Sequence, residues 1–455
     1  MRHRGIVSPI RRTVFSFLFC SVLAMLNQHS QAETNQITLT AFSAPLSLER
    51  AFNLALQQNR AILKSRAEVE SQHGVVIQTR AVVIPKVQAT GNYTDYDPKS
   101  IESFPVPGVG TPHQSWNTGL QLVQSFYEGG RMSSALRTAK LTREQSLLRH
   151  QTVLADTLLA VRVAYYDVLV AAQQIIVREA SVNLLGKEQD DQQRRLDAGT
   201  VPRFNVLRAE VAVANAKPAL IRARNAHRVA KNNLANLLGF DLPREVGEDI
   251  PLQLTDTLEL PPVQFELSAA IGQALANRTE IAALRKAELL RKEDIVNARS
   301  GMLPSVQGFA GWGWRNSSFT TDLAREVDGW QVGAQMSWNI FDGDLTRGKI
   351  VQAKAQQEKA RIELDDSASK IELEVRTAYS EFVGAREVLE SQKKVQEQAD
   401  EALRLAKARA DAGTATQLDV LNAETALTEA RTTQVQAQRD YAVAVSKLER
   451  SIGKP

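Results

Sequence analysis

Val161-Arg162-Val163-Ala164-Tyr165 is written a second time as Val375-Arg376-Thr377-Ala378-Tyr379, 375 − 161 = 214 positions later. Asp197-Ala198-Gly199-Thr200 returns as Asp411-Ala412-Gly413-Thr414 at the same offset, and Val206-Leu207-Arg208-Ala209-Glu210 returns as Val420-Leu421-Asn422-Ala423-Glu424. Tyr127-Glu128-Gly129 maps onto Phe341-Asp342-Gly343, again by 214. Further upstream, Ile84-Pro85 matches Leu303-Pro304 at an offset of 219, so the stretch between these markers is 219 − 214 = 5 residues longer in the first half. One register held over four separate stretches is a duplication, and each half is one structural unit.

Working outward from the repeat, each unit reads as helix, strand pair, very long helix, turn and return helix. The first helix spans 47–84 and its copy 266–303, each ended by the proline that follows. Uninterrupted helical sequence then fills 131–198 and 345–412 without a proline; at 1.5 Å per residue each run is roughly 100 Å long. Gly199 and Gly413 stop these helices, as a left-handed cap requires. Return helices follow at 204–238, kinked by Pro218, and at 417–452. The domain plan is a first repeat at 33–239 with strands in 86–126, a linker at 240–265, and a second repeat at 266–455 with strands in 305–341.

Leu364, Ala368, Ile371, Val375, Ala378, Phe382, Ala385 and Leu389 are spaced alternately by four and three, the 3.5-residue period of a coiled coil. Subtracting 214 finds the same seam at Leu154, Thr157, Val161, Ala164, Val168, Ala171 and Ile175. Alternating alanine with larger residues suits close antiparallel packing.

Four segments change to a period of two. Trp330, Val332, Ala334, Met336, Trp338 and Ile340 alternate with Gln331, Gly333, Gln335, Ser337 and Asn339; Trp116, Thr118, Leu120, Leu122 and Phe126 alternate with polar or small residues. Val87, Ala89, Gly91 and Tyr93 do likewise, and the fourth strand, at 306–314, is rich in glycine. A half-buried soluble sheet gives the same alternation. The tryptophans favour a membrane instead: Trp116, Trp312, Trp314, Trp330 and Trp338 are all five in the protein, and all lie on these segments. Membrane barrels carry such aromatics as girdles at the two interfaces, with apolar residues outward and polar residues inward. Four strands cannot close a barrel, and lipid leaves no open edge unsatisfied. The barrel must therefore be shared, with eight strands from two copies or twelve from three.

At the N-terminus, Arg2, Arg4, Arg11 and Arg12 precede a short apolar run at 14–26 and a Ser30-Gln31-Ala32 cleavage site, an export signal over residues 1–32. Without those four arginines, Lys+Arg falls from 55 to 51 against 51 Asp+Glu, so the mature chain is formally neutral and gives no argument for nucleic acid. The single cysteine, Cys20, lies in the signal, which leaves no disulfide and no cysteine nucleophile. His73, His113, His150 and His227 lack ligand-like spacing. Gly343-Asp344-Leu345-Thr346-Arg347-Gly348-Lys349 imitates a phosphate loop, but Ile350 stands where magnesium needs Ser or Thr. No cofactor, metal site or catalytic group is expected.

The duplication, the prolines before the strand pairs, Phe126-Tyr127-Glu128-Gly129-Gly130 with Ile340-Phe341-Asp342-Gly343, and the two Ala-Gly-Thr turns each followed by Val-Leu-x-Ala-Glu together resemble the TolC family of outer-membrane efflux and secretion ducts. The resemblance covers about residues 47–453. It implies a mainly α protein with a small β part: tandem coiled-coil hairpins plus four strands per protomer, three protomers completing a twelve-stranded barrel in outer-membrane lipid above a periplasmic helical tunnel. It also implies a passive, non-enzymatic conduit of an efflux or type I secretion system. Its partners would be a periplasmic adaptor and an inner-membrane pump, proton-driven or of the ABC type. The tips Gly199, Thr200, Gly413 and Thr414 would meet the adaptor. In some members carboxylates beyond the second turn ring the closed entrance; here the matching positions are Asp419 and Asn422, with Asn205 in the first repeat, and Ala415 replaces an arginine. At most one acidic ring results. Three converging Asp419 side chains would raise each other's pKa; alternatively Asp419 is a solvated carboxylate suited to a helix N-terminus. The competing function is a periplasmic coiled-coil scaffold without a pore.

Overall fold

The structure is a computed structural model that describes residues 45–101, 113–240, 249–317 and 322–454; the export signal and Cys20 lie outside the described residues. The chain runs α1 (Leu48–Gln58), α2 (Arg60–Arg80), β1 (Lys86–Asp95), β2 (Gln114–Glu128), α3 (Arg131–Asp197) and α4 (Arg203–Leu238). The second copy is α5 (Leu267–Asn277), α6 (Thr279–Ser300), β3 (Ser305–Asn316), β4 (Glu326–Ser337), α7 (Leu345–Asp411) and α8 (Gln417–Ile452). The long helices α3 and α7 have 67 residues each and the return helices α4 and α8 have 36 each, so the duplication is kept to the residue.

The single first helix expected over 47–84 is two helices. Asn59 breaks it: its backbone is extended, with φ −60° and ψ 127°, while its Oδ1 caps α2 by accepting from the N–H groups of Ala61 (2.8 Å) and Ile62 (3.2 Å). Its Nδ2 donates to the Leu237 carbonyl, 2.6 Å away at the end of α4. The break in the second copy falls at Arg278, and 278 − 59 = 219. Arg278 Nη1 donates to Ser451 O at 3.4 Å, and 451 − 237 = 214. Two unlike side chains thus satisfy the same orphan carbonyl at the end of a return helix.

The hairpins α3–α4 and α7–α8 each pack antiparallel, α8 also lies along α3, and α6 lies between α3 and α7. The expected seam forms: Ile371, Val375, Ala378 and Phe382 are buried against Tyr441, Val445, Leu448 and Ile452, with Leu364, Ala385 and Leu389 half-buried beside them. Thr157, Val161, Ala164, Val168 and Ala171 are buried in the first copy. Side chains of this size are worth roughly 1.5–3 kcal/mol each when fully buried. The segment read as a linker also enters the core. Ile250, Leu252 and Leu258 join the cluster around Tyr165, whose hydroxyl donates to Leu46 O (2.9 Å) and to Asp256 Oδ2 (2.8 Å).

The strands form one antiparallel sheet in the order β1-β2-β3-β4. Register sorts its faces. Tyr93 pairs with Trp116, Thr118 with Trp314, Leu120 with Trp312, Trp312 with Trp330, and Ala310 with Val332, so one face is apolar across all four strands. Gln88 pairs with Gln121, Gln121 with Gly311, and Gly311 with Gln331 on the opposite, polar face. β4 stops at Ser337, so Trp338 and Ile340 follow the strand rather than lie in it; Trp338 Nε1 donates instead to Met302 O at 3.1 Å. A register shift between Ser125 and Tyr127 carries Phe126 over the bare backbone of Gly308.

Candidate functional site: hairpin tips and strand sheet

Both tips close by one mechanism. Gly199 and Gly413 take φ of +73° and +75°, a conformation that costs glycine nothing. The next residue then folds back: Thr200 donates to Arg195 O through N (2.9 Å) and Oγ1 (2.8 Å), and Thr414 donates to Arg409 O likewise (2.8 and 3.1 Å). All four expected tip residues are exposed.

The copies diverge just beyond. Thr416 caps α8 in a capping box, accepting from Asp419 N, while the Asp419 carboxylate accepts from Thr416 N and Oγ1 at 2.8 Å each. Those hydrogen bonds from the Thr416 backbone and hydroxyl hold the exposed Asp419 carboxyl below the usual carboxylate range. Position 202 holds proline instead and offers no side-chain cap. Asn205, the counterpart of Asp419, accepts through its backbone carbonyl from Gln417 Nε2 at 3.2 Å. Arg195 Nη2 meets Asp411 Oδ1 at 3.3 Å, a second link between the tips. Between them lies a cleft of about 650 Å³. Asn422 is exposed on α8, three residues past Asp419 and so on the same helical face.

Glu424 was not singled out by sequence, because its partner in the repeat, Glu210, is an ordinary exposed residue. Glu424 is only 2% exposed, and neither carboxylate oxygen receives a hydrogen bond. Lys407 Nζ of α7 lies 3.3 Å from Oε1, and Glu188 faces it from α3. Burial pushes its pKa up, against the pull of Lys407. The raised folded value means that its stabilising share is full below the ordinary carboxylate pKa and is lost as pH rises through the folded value. Glu424→Gln keeps the shape and removes the buried charge, and half-exposed Lys407 can turn to water. The variant is expected to gain on the order of 1 kcal/mol at neutral pH. Urea unfolding at pH 4.5 and 8 checks this: the gain should be larger at pH 8, and an equal or smaller gain there would refute the assignment.

The aromatic residues of the sheet fall at two levels. Trp116, Trp312, Trp314 and Trp330 lie toward the end of the sheet where β1 leads into β2 and β3 into β4, away from the helices, with Tyr93 opposite Trp116. Trp338 lies eight residues along from Trp330, roughly 26 Å at 3.3 Å per residue, at the end where the strands leave the helices. Trp330, Val332, Met336 and Trp338 are all more than half exposed, although they are large and apolar. No helix among the described residues is long and apolar enough to cross a membrane.

Residues 51–240 and 270–454, one block in each repeat, match the family of outer membrane efflux proteins. The outer membrane efflux protein BepC of Brucella suis biovar 1 (strain 1330) is 26% identical over 451 residues, 98% of this chain and 92% of BepC. The outer membrane protein TolC of Escherichia coli (strain K12) is 22% identical over 433 residues, 92% of this chain and 85% of TolC. Among solved structures, the Campylobacter jejuni CmeC outer membrane channel shares the fold with a TM-score of 0.77 at 16% identity, covering 89% of this chain and 85% of CmeC. A scaffold without a pore does not fit these relatives, whereas an unclosed sheet with an exposed apolar face above duplicated hairpins does. The chain belongs to the outer membrane efflux protein family and is an outer-membrane channel with a large periplasmic part.

Proposed function

We propose that three copies assemble into one conduit, closing a twelve-stranded barrel over a twelve-helix periplasmic tunnel. The observation that carries this reading is a mismatch between the repeats. Helix α3 is covered on both sides, by α2 and α4 on one and by α6 and α8 on the other. Its copy α7 is covered by α5, α6 and α8 and lacks the cover of a second hairpin, which leaves Leu373 and Val395 exposed. The mate of Val395 is Ser181, which receives a hydrogen bond from Thr428 of α8 at 3.1 Å. Helix α4 is bare in the complementary way: Ile221 and Val229 are 65% and 49% exposed, while their mates Val435 and Val443 are each 5% exposed against α3. Each open face of α7 therefore matches the open α4 and α2 faces of a second copy, repeating the junction already made inside the chain. Such a head-to-tail contact closes only as a ring, and three copies supply twelve strands.

In that ring the two levels of tryptophan form the membrane girdles, about 25 Å apart in known barrels. The exposed tips at Gly199, Thr200, Gly413 and Thr414 present the surface for a periplasmic adaptor, which couples the conduit to an inner-membrane pump, proton-driven or ABC-type. Asp419, Asn422 and Asn205 stand at the entrance, with Asp419 giving one ring of three carboxylates. The chain contributes a passage and no chemistry. Extraction of outer membranes in mild detergent followed by native mass measurement is expected to give three protomers per particle. A monomer freed without detergent would sink the shared barrel.

A further inference from the structure

The polar face of the sheet sorts its charges. On that face the strand positions that carry charge are Lys86, Arg315 and Glu128. Glu128 is held by Arg131 at 2.9 Å, which leaves two cations, one at each end of the wall. The carboxylates Asp95, Glu326 and Asp328 all fall on the apolar face. Across the ladder Arg315 has Asn117 on one side and Val327 on the other, so no acid of the strands stands beside it on its own face. Its side chain is exposed.

Below Arg315 the wall is stripped of side chains. Gly119 pairs with Gly313 and Gly313 with Gly329, a row of three glycines across three strands on the polar face. Gly311 lies two residues further, between Gln121 and Gln331. A Cβ at Gly311 would stand 2.8 Å from Leu120 O and one at Gly119 3.1 Å from Trp312 O, so the backbone excludes a side chain at the first and crowds one at the second, while Gly313 and Gly329 have room for one. The result is a hollow of about 560 Å³ whose rim carries Arg315, Asn117, Gln121, Gln331 and Thr90, with Asp328, whose register puts it on the apolar face, also in its lining. Glycine rows allow a sheet to curl, and here they leave a hollow with a cation and amide groups at its edge.

We infer that the outer half of the barrel lumen is a vestibule for anions, built from three Arg315 guanidiniums above glycine-floored hollows, and that it favours cargo bearing carboxylate, phosphate or sulfonate groups. This rests on the trimeric conduit proposed above, with the polar face inward. Guanidinium is always charged and presents a planar fork to such groups. Screening sets the range of the effect. At 0.15 M salt the Debye length is about 8 Å, so only cargo bulky enough to touch the wall feels Arg315; at 0.01 M it is about 30 Å and a small ion on the axis feels it too.

The test is the reversal potential of the reconstituted trimer in planar bilayers under a KCl gradient, with 0.01 M on the side of the sheet away from the helices, where Arg315 lies. Wild type, Arg315→Lys, Arg315→Gln and Arg315→Glu are compared, so that contributions from the tips cancel. The anion-to-cation permeability ratio should fall in that order, by roughly threefold or more from wild type to Arg315→Glu, with Arg315→Lys close to wild type. A ratio unchanged across the series overturns the vestibule while leaving the conduit intact. Trimers that pass no current in any variant would defeat the conduit reading, and this inference with it.

Discussion

Glu280→Ala is expected to destabilise the chain by about 3–5 kcal/mol, the usual cost of stripping the partner from a buried charge. Two guanidiniums depend on that one carboxylate. Arg278 and Arg450 are 6% and 7% exposed, and Glu280 receives Arg278 Nε at 3.0 Å on one oxygen and Arg450 Nη2 at 2.6 Å on the other. Each arginine has a second anion, Glu374 at 2.9 and 3.0 Å for Arg278 and Asp156 at 2.9 Å for Arg450. Those two carboxylates are about half exposed or more, whereas Glu280 is three-quarters covered, so its loss is the one water repairs least. The network ties α3, α6, α7 and α8 together where the hairpins meet the first helices of the second copy. Burial alone would raise the pKa of Glu280, but the hydrogen bond from Arg450 and the charges of both arginines hold it below the ordinary carboxylate range. A lowered folded pKa gives stability that is present above the unfolded value, about 4.3, and is lost as pH falls through the folded one. The urea midpoint for loss of helical circular dichroism should therefore drop sharply in Glu280→Ala at pH 7, and the gap to wild type should narrow toward pH 3. A change below 1 kcal/mol at pH 7 would show that the arginines do not need this anion.

How much of this was legible in the sequence depended on whether the signal was periodic or single. The helix pairs, the strand faces and the seam through Val375 and Phe382 repeat every 3.5 or 2 residues, and the offset of 214 checks each of them twice. The break at Asn59 and Arg278 is a single event. Neither residue is a helix breaker, and the cause lies about 180 residues away, in a carbonyl that needs a donor. Trp338 continued the alternation of β4 by one step, but the chain had already begun its turn into α7. Asp419 illustrates a local signal with two meanings: Thr-x-x-Asp before an apolar run announces a capping box, and the same carboxylate is the only acidic candidate for an entrance ring. Glu424 was hidden because burial belongs to the three helices around it and not to its neighbours in sequence. Arg315 was equally silent, since its face is fixed only by cross-strand register.

Ile221→Asp combined with Val229→Asp is expected to leave a folded chain that no longer assembles. Both residues lie on the open face of α4, and among the described residues nothing packs over them as α3 packs over Val435 and Val443. At roughly 1.5–3 kcal/mol per buried aliphatic side chain, each junction would forfeit about 3–6 kcal/mol, before the cost of desolvating two carboxylates. At 1.4 kcal/mol per decade that weakens one junction by a factor of roughly 10² to 10⁴. A ring needs all three junctions, so the loss is incurred three times over. Within the monomer the same changes cost little, because aspartate in an exposed helix interior is unfavourable by less than about 0.7 kcal/mol per residue. Val435→Asp with Val443→Asp provides the contrast: the same chemistry, 214 positions later, strikes a face already buried, and should unfold the hairpin core. Native mass and circular dichroism of the two double variants separate these effects. Helical monomers from the first and collapsed helicity from the second would mean that the junction inside the chain is the template for the junction between chains. Intact trimers from the first would mean that α4 faces water in the assembly, and the ring would then have to be built on another surface.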